Sequence, residues 1–226
     1  MNSTTAGWIL FLFAFPAWAG TFVETFDDEN LEDWRELNAF DVKIAPGSWE
    51  TLDGEMEATV KDEIGPRMPQ LLIIGDETWE DYEIEFDVMP REEHGPGSFV
   101  VAARIMKNWG LLCMIGVLSL EHGSNVHCFG GKLPGKIFDS FGMKKKPPLK
   151  LKEWSTLKLS VNKANMIFSI NGRKVLESPS LPRLAGGVGF GLANYTARFD
   201  NITIIGDSIP DKGRLSVVPE AKLATT

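Results

Sequence analysis

Apolar and polar residues alternate with a period of two along most of the chain from Thr21 onward. The series opens with "TFVETFDD" (21–28) and is clearest in "YEIEFDVM" (82–89), where Tyr82, Ile84, Phe86 and Val88 interleave with Glu83, Glu85 and Asp87. Successive side chains of a β-strand point to opposite faces, so this pattern predicts strands with one buried and one wet face. "GSWETLDGEMEATV" (47–60) holds two such runs joined at Asp53-Gly54, a dipeptide suited to the positive φ angles of a two-residue hairpin turn. Further strands are expected at "QLLIIGD" (70–76), "SFVVAARIM" (98–106), "WGLLCMIGVLSL" (109–120) and "NVHCFGG" (125–131). "STLKLSVNKANMIFSINGRKVLE" (155–177) reads as two strands around Lys163-Ala164-Asn165 and a short third after Asn171-Gly172. "GGVGFGLANYTARFDNITIIG" (186–206) reads as two more.

Two stretches interrupt the series. "NLEDWREL" (30–37) is expected to be a short loop or a single helical turn around Trp34, and "GKIFDSFGMKKKPPLKLK" (135–152) a loop in which Pro147-Pro148 excludes a central strand. No long amphipathic helix emerges. Many short alternating strands with regular turns predict an all-β fold over residues 20–206, a sandwich or a barrel, and a two-sheet antiparallel sandwich, which buries one face of each sheet, accounts for the alternation. The last twenty residues, 207–226, lose the alternation and read as a tail or linker.

The N-terminus belongs to a different class. "GWILFLFAFPAWA" is an uncharged apolar run ending in the small-x-small triplet Ala17-Trp18-Ala19, the form of an export signal. Residues 1–19 are expected to be removed, leaving a secreted, periplasmic or extracellular chain. No later segment is long and apolar enough to form a membrane-spanning helix. Export would bring Cys113 and Cys128 into an oxidising compartment, where they form either a disulfide or two buried thiols.

Charge is unevenly distributed. The chain carries a net charge of -8, which argues against nucleic acid as a partner. Residues 21–93 hold 23 acids against 5 bases, and residues 94–226 hold 8 against 18. Five lysines, Lys144, Lys145, Lys146, Lys150 and Lys152, crowd one segment that is either a solvated loop or a contact for an acidic polysaccharide.

The order of motifs is itself informative. "FDD", "DW", "GSWET-DGEM" and "TWEDYEIEFDV" precede a strand with Arg104, the pair Asn108-Trp109, "EWSTLKLSVNKANMIFSINGRKV" and "GGVGFGLANYTARFDNITI". This order resembles the concanavalin A-like lectin/glucanase superfamily, and most closely the laminin-G-like jelly rolls and the domain family named for 3-keto-disaccharide hydrolysis. The resemblance covers residues 21–206. It implies two curved sheets in a jelly roll, with ligands across the concave sheet or on rim loops. The fold hosts lectins, lyases, hydrolases and adhesive modules, so function must be argued from the site.

Glu83, Glu85 and Asp87 form a ladder of carboxylates on one strand face. Paired carboxylates are the working parts of glycosidases, and laminarinase-type relatives carry an alternating acid motif. Here the order is Glu-x-Glu-x-Asp rather than Glu-x-Asp-x-Glu, which favours a solvated strand face over catalysis. The three histidines, His94, His122 and His127, show no metal-ligand spacing. Sugars are read by an aromatic platform with a few planar polar groups. Arg104, Asn108, Trp109 and His127 suit that task, and Asn194 and Tyr195 could join them. By resemblance to jelly-roll carbohydrate modules, Asp27 or Asp28 with Asp200 would tie the first and last strands through a structural Ca²⁺ ion. The leading expectation is a non-catalytic module that binds a polysaccharide or glycan. The alternatives are a 3-keto-disaccharide type of glycoside hydrolase and an adhesive module without a small ligand.

Overall fold

The computed structural model describes residues 20–27, 30–40, 46–61, 68–119, 123–135, 138–182, 184–210 and 212–213. The expected export signal (1–19), Asp28, His122 and most of the tail lie outside these residues. The described residues form fourteen strands: β1 (Gly20–Glu24), β2 (Arg35–Asn38), β3 (Ser48–Leu52), β4 (Glu55–Val60), β5 (Gln70–Ile74), β6 (Tyr82–Met106), β7 (Trp109–Ser119), β8 (Gly123–Gly131), β9 (Phe138–Lys145), β10 (Ser155–Asn162), β11 (Asn165–Ile170), β12 (Arg173–Ser178), β13 (Gly187–Gly206) and β14 (Lys212–Gly213).

Two long strands organise the others. β6 and β13 pair antiparallel from Gly187↔Ile105 to Gly206↔Tyr82. Tyr82 to Val88 pair with β10, whereas Ser98 to Ala103 pair with β7. β13 meets β5 over Val188–Leu192, β4 over Tyr195–Phe199 and β1 over Ile202–Gly206. The ribbon therefore belongs to two half-sheets. One runs β12-β11-β10-β6-β13-β1-β14. The other runs β9-β8-β7-β6-β13-β5-β2.

The half-sheets must face each other, because the two ends of β6 touch. The Tyr82 hydroxyl lies 2.6 Å from the Arg104 main-chain nitrogen, 22 residues away. Extended chain of that length would span roughly 70 Å. The ribbon folds back on itself, and Ile84, Phe86, Leu157, Leu159, Phe168 and Ile204 of one half share a core with Phe99, Val101, Leu111, Cys113, Val126 and Phe190 of the other. This is the predicted two-sheet antiparallel jelly-roll sandwich.

The second half-sheet is buried on its other face as well. There Val100, Ala102, Leu112, Met114 and Phe129 pack with Leu71, Ile73, Ala39 and Leu133. Burial on both faces explains why 98–106 and 109–120 read as near-continuous apolar runs while 82–89 alternates.

Several expectations change. The two strands read at 82–89 and 98–106 are one, as are the two read within 186–206. Bulges absorb the bends: the register of β13 against β6 shifts between Ala193 and Tyr195 and again between Asp200 and Thr203. Asn194 and Asn201 occupy these sites at φ 55° and 54°, a conformation asparagine tolerates better than most residues. The expected loop or turn at 30–37 ends in β2, which pairs with β5. Phe138–Lys145, read as loop, is an edge strand on β8. Its single partner leaves one side in solvent, so the segment carries too few apolar residues to signal a strand. Beyond Gly206, Ile209 is buried and β14 pairs parallel to β1, so the described start of the tail packs on the sandwich. Cys113 and Cys128 stand opposite each other in β7 and β8 and form a disulfide.

Candidate functional site

The junction of the two ends of β6 opens onto a cleft of about 300 Å³, lined by Glu80, Asp81, Arg104, Lys163, Leu184 and Ala185. Arg104 sits where the register of β6 against β7 shifts between Ala103 and Met106, with a positive φ of 53°. That bulge carries its side chain between the half-sheets, where it is fully buried. The guanidinium Nη1 donates to the Pro182 carbonyl at 2.7 Å, and Nη2 lies 3.3 Å from Asp81 Oδ1. Asp81 Oδ1 also accepts the Lys163 main-chain N–H at 2.6 Å. Lys163 is held at the turn between β10 and β11, again at positive φ.

The neighbouring loop is fixed from the other side. Tyr82 offers its hydroxyl proton to the carbonyls of Gly186 and Gly187, at 2.9 and 3.1 Å. Gly186 donates its N–H to the Trp79 carbonyl at 2.7 Å. A side chain at Gly186 would come within 2.4 Å of the Arg104 carbonyl carbon, and φ there is 156°. This close approach requires glycine.

Among the described residues the buried Nε of Arg104 has no hydrogen-bond partner. Burial lowers the Arg104 pKa from its ordinary range, opposed by Tyr82, Asp81 and Glu80. Guanidinium nevertheless stays charged in proteins and presents a planar fork of donors. Two acids, two bases and the apolar Leu184 and Ala185 make the lining suitable for a neutral, hydroxyl-rich ligand. At the small end of binding-pocket volumes, the cleft suits one ring rather than a chain.

The other residues expected to read a ligand do not converge on this cleft. Trp109 packs against the core between the half-sheets, and a side chain on Gly130 would meet its ring at 2.6 Å. Its ring is therefore partly covered by packing. Asn108 is exposed in the turn from β6 to β7. His127 stands on the opposite face of the second half-sheet, with Nε2 3.0 Å from Ser140 Oγ and its ring against Phe129. Burial lowers its pKa. Asn194 is buried and donates to the Pro96 carbonyl. Tyr195 is buried against Phe99, and burial, then Glu93, push its hydroxyl up to about 12. Only Arg104 of the six lines the cleft. Glu80, Asp81, Lys163, Leu184 and Ala185 come from three separate connections, and nothing in their local sequence marks them as neighbours.

The carboxylate ladder is occupied otherwise. Lys158 on β10 lies 2.6 Å from Glu83 and 3.8 Å from Glu85. Its pKa is raised, chiefly by the hydrogen bond to Glu83. Asp87 accepts from Thr156 Oγ1 at 2.6 Å and from Asn201 Nδ2 at 3.0 Å. These acids serve cross-strand pairing on a half-exposed face.

At the expected calcium site, Asp27 accepts from Thr25 Oγ1, and the Asp200 pKa is raised. Burial is the main cause, opposed by the Asn201 N–H and reinforced by Glu55, Asp87 and Asp27. Among the described residues no group of three or more histidine, cysteine or acidic side chains is gathered closely enough to hold a metal ion.

Solved structures share this fold. A carbohydrate-binding module of Bacillus subtilis, CBM66, matches with a TM-score of 0.59 at 17% identity, over 78% of this chain and 98% of its own. A Bacillus subtilis protein with a galectin-like fold matches with a TM-score of 0.62 at 14% identity, over 84% of this chain and 97% of its own. A β-glucanase of Bacillus licheniformis matches with a TM-score of 0.58 at 9% identity, over 83% and 98%. No curated protein matches the sequence. The family described as the 3-keto-alpha-glucoside-1,2-lyase-like domain matches residues 21–205, nearly the whole sandwich. With its core, its strand order and this match in agreement, the chain belongs to the 3-keto-alpha-glucoside-1,2-lyase-like domain family.

Proposed function

We propose that the chain is a carbohydrate-recognition module that takes one sugar unit into the cleft beside Arg104 and does not turn it over. The observation that carries this reading is the cleft whose lining includes the partly exposed Asp81 carboxylate, held in place by the buried Arg104 guanidinium. Among the described residues Asp81 takes its two hydrogen bonds on Oδ1, which leaves Oδ2 to accept from a ligand hydroxyl. Leu184 and Ala185 offer an apolar wall to the C–H face of a ring. Structural neighbours named as a carbohydrate-binding module and carbohydrate recognition domains support the reading. Saturation-transfer NMR with methyl glucoside, galactoside, mannoside and fructoside tests it. Transfer to at least one is expected, and transfer to none refutes it.

Family membership favours a second reading, elimination from a 3-keto glycoside. A C3 carbonyl acidifies the C2 proton, a base removes it, and the C1 substituent leaves with a proton from an acid. Glu80 lines the cleft and would be the base, and Lys163 the acid. The product carries a double bond conjugated to the ketone. Growth of ultraviolet absorbance on incubation with methyl 3-keto-glucoside, lost in Glu80→Gln, would favour this reading over recognition alone.

The chain is further read as exported, with residues 1–19 removed. The Cys113–Cys128 disulfide supports that reading, because disulfides persist outside the reducing cytosol.

A further inference from the structure

We infer that the segment from Met143 to Trp154 is a docking surface for an anionic lipid bilayer. Five large apolar side chains are exposed among the described residues, and three of them, Met143, Leu151 and Trp154, fall in these twelve residues at 57%, 47% and 43% exposure. The same segment holds five lysines, Lys144, Lys145, Lys146, Lys150 and Lys152, against one acid, Glu153, which pairs with Lys150 at 3.1 Å. The segment thus combines a run of positive charge with exposed apolar side chains.

The segment is built to hold that shape. Leu149 is buried in the core and anchors its middle. Lys152, at φ 62°, donates its main-chain N–H to the Pro90 carbonyl at 2.7 Å. Pro147 and Pro148 fix two further φ angles. Ordering entropy is therefore already spent before any partner arrives. The segment links β9 to β10, near the bend of β6 at Pro90, whereas the sugar cleft lies where the ends of β6 meet. The two surfaces can act independently.

Charge complementarity points to an anionic partner, and the apolar residues choose between partners. A hydroxyl-rich acidic polysaccharide offers Leu151 and Met143 only the narrow C–H face of a ring, a smaller apolar surface than an acyl layer. A bilayer offers both an anionic headgroup layer for lysine and an acyl boundary for tryptophan, leucine and methionine. The segment would lie on the membrane, not cross it.

The test is cosedimentation of the full chain with vesicles of phosphatidylcholine alone and with three-tenths phosphatidylglycerol. Residues 1–19 carry no charged side chain, so the neutral vesicles measure their contribution. The excess on anionic vesicles is expected to fall about tenfold in Lys144→Gln/Lys145→Gln/Lys146→Gln, and similarly in 0.5 M salt, where screening cuts the Debye length to about 4 Å. Leu151→Ser/Trp154→Ala, with its folding verified by thermal melting, is expected to lose at least about fivefold while keeping all five lysines. No excess on anionic vesicles overturns the inference. So does an excess unchanged in Leu151→Ser/Trp154→Ala, which would mark a purely electrostatic surface suited to an acidic polysaccharide.

Discussion

The hydroxyl of Tyr82 accepts the main-chain N–H of Arg104 at 2.6 Å, and so joins the first residue of β6 to its far end. The same hydroxyl donates to the carbonyls of Gly186 and Gly187, where β13 begins. Tyr82→Phe leaves these buried groups without their partner, which is expected to cost about 1–3 kcal/mol. Burial raises the Tyr82 pKa above that of a free phenol. A raised folded-state pKa means that the stabilisation is complete below the unfolded value near 10 and fades as pH rises above it. Denaturation midpoints are expected to fall above pH 10 more steeply in the parent than in Tyr82→Phe. Equal pH dependence would contradict this role.

On the ladder strand, burial and charge separate by parity. Ile84 is fully buried and Glu85 is nearly half exposed. Ile84→Ala is expected to cost about 2–5 kcal/mol, cavity included. Glu85→Gln should stay within about 0.5 kcal/mol, because its contact with Lys158 is long and solvated. Chemical denaturation of both variants measures this. A large loss in Glu85→Gln would restore a special role for the acid ladder.

The disulfide closes a loop of fifteen residues across β7 and β8. Removing it in Cys113→Ala/Cys128→Ala is expected to cost about 3 kcal/mol by the chain-entropy estimate. Material recovered after export should begin at Gly20 or Thr21 on N-terminal sequencing. A recovered chain that retains Trp8 would contradict removal of residues 1–19.

Asp200 supplies a pH-dependent test of the proposed calcium tie between the first and last strands. Its raised pKa means that the folded state favours the protonated acid. Its relative stabilisation is full below the unfolded pKa near 3.9 and is lost as pH rises through the higher folded value. Without metal, Asp200→Asn is therefore expected to melt higher than the parent at pH 7 and equally at pH 3. If Asp27 and Asp200 hold calcium, millimolar Ca²⁺ raises the melting temperature of the parent and leaves Asp200→Asn unchanged. No response of the parent to Ca²⁺ or to chelator contradicts the tie.

Strand period, hairpin dipeptides and motif order were enough to recover the sandwich, because each depends on a local alternation or on a turn residue. Continuity of β6 was not legible because Pro90 and Gly95-Pro96-Gly97 read as a break, and that of β13 because the bulges at Asn194 and Asn201 leave no compositional mark beyond the asparagines themselves. β9 was hidden by its edge position. Of the six residues expected to read a ligand, Arg104 alone lines the cleft. Asp81 and Pro182, and Lys163 through Asp81, are brought to it by the folding of one ribbon onto itself, a relationship between residues 23 to 82 positions apart. Trp109 is ambiguous in sequence because an aromatic ring at a strand start serves equally as a sugar platform or as core packing. In the structure its ring lies against Gly130, away from the cleft.

The central claim is that sugar enters the cleft beside Arg104. Calorimetric titration of a bound methyl hexoside into the parent, Ala185→Trp and Trp109→Ala tests it most directly. Ala185 lines the cleft and is only partly buried, so a tryptophan there fills the space while the core is left alone. Binding is expected to be lost in Ala185→Trp, with its melting temperature close to that of the parent. Trp109→Ala is expected to lower the melting temperature and to keep the affinity. Binding that survives in Ala185→Trp and disappears in folded Trp109→Ala would contradict the account and return the sugar to the face of Trp109.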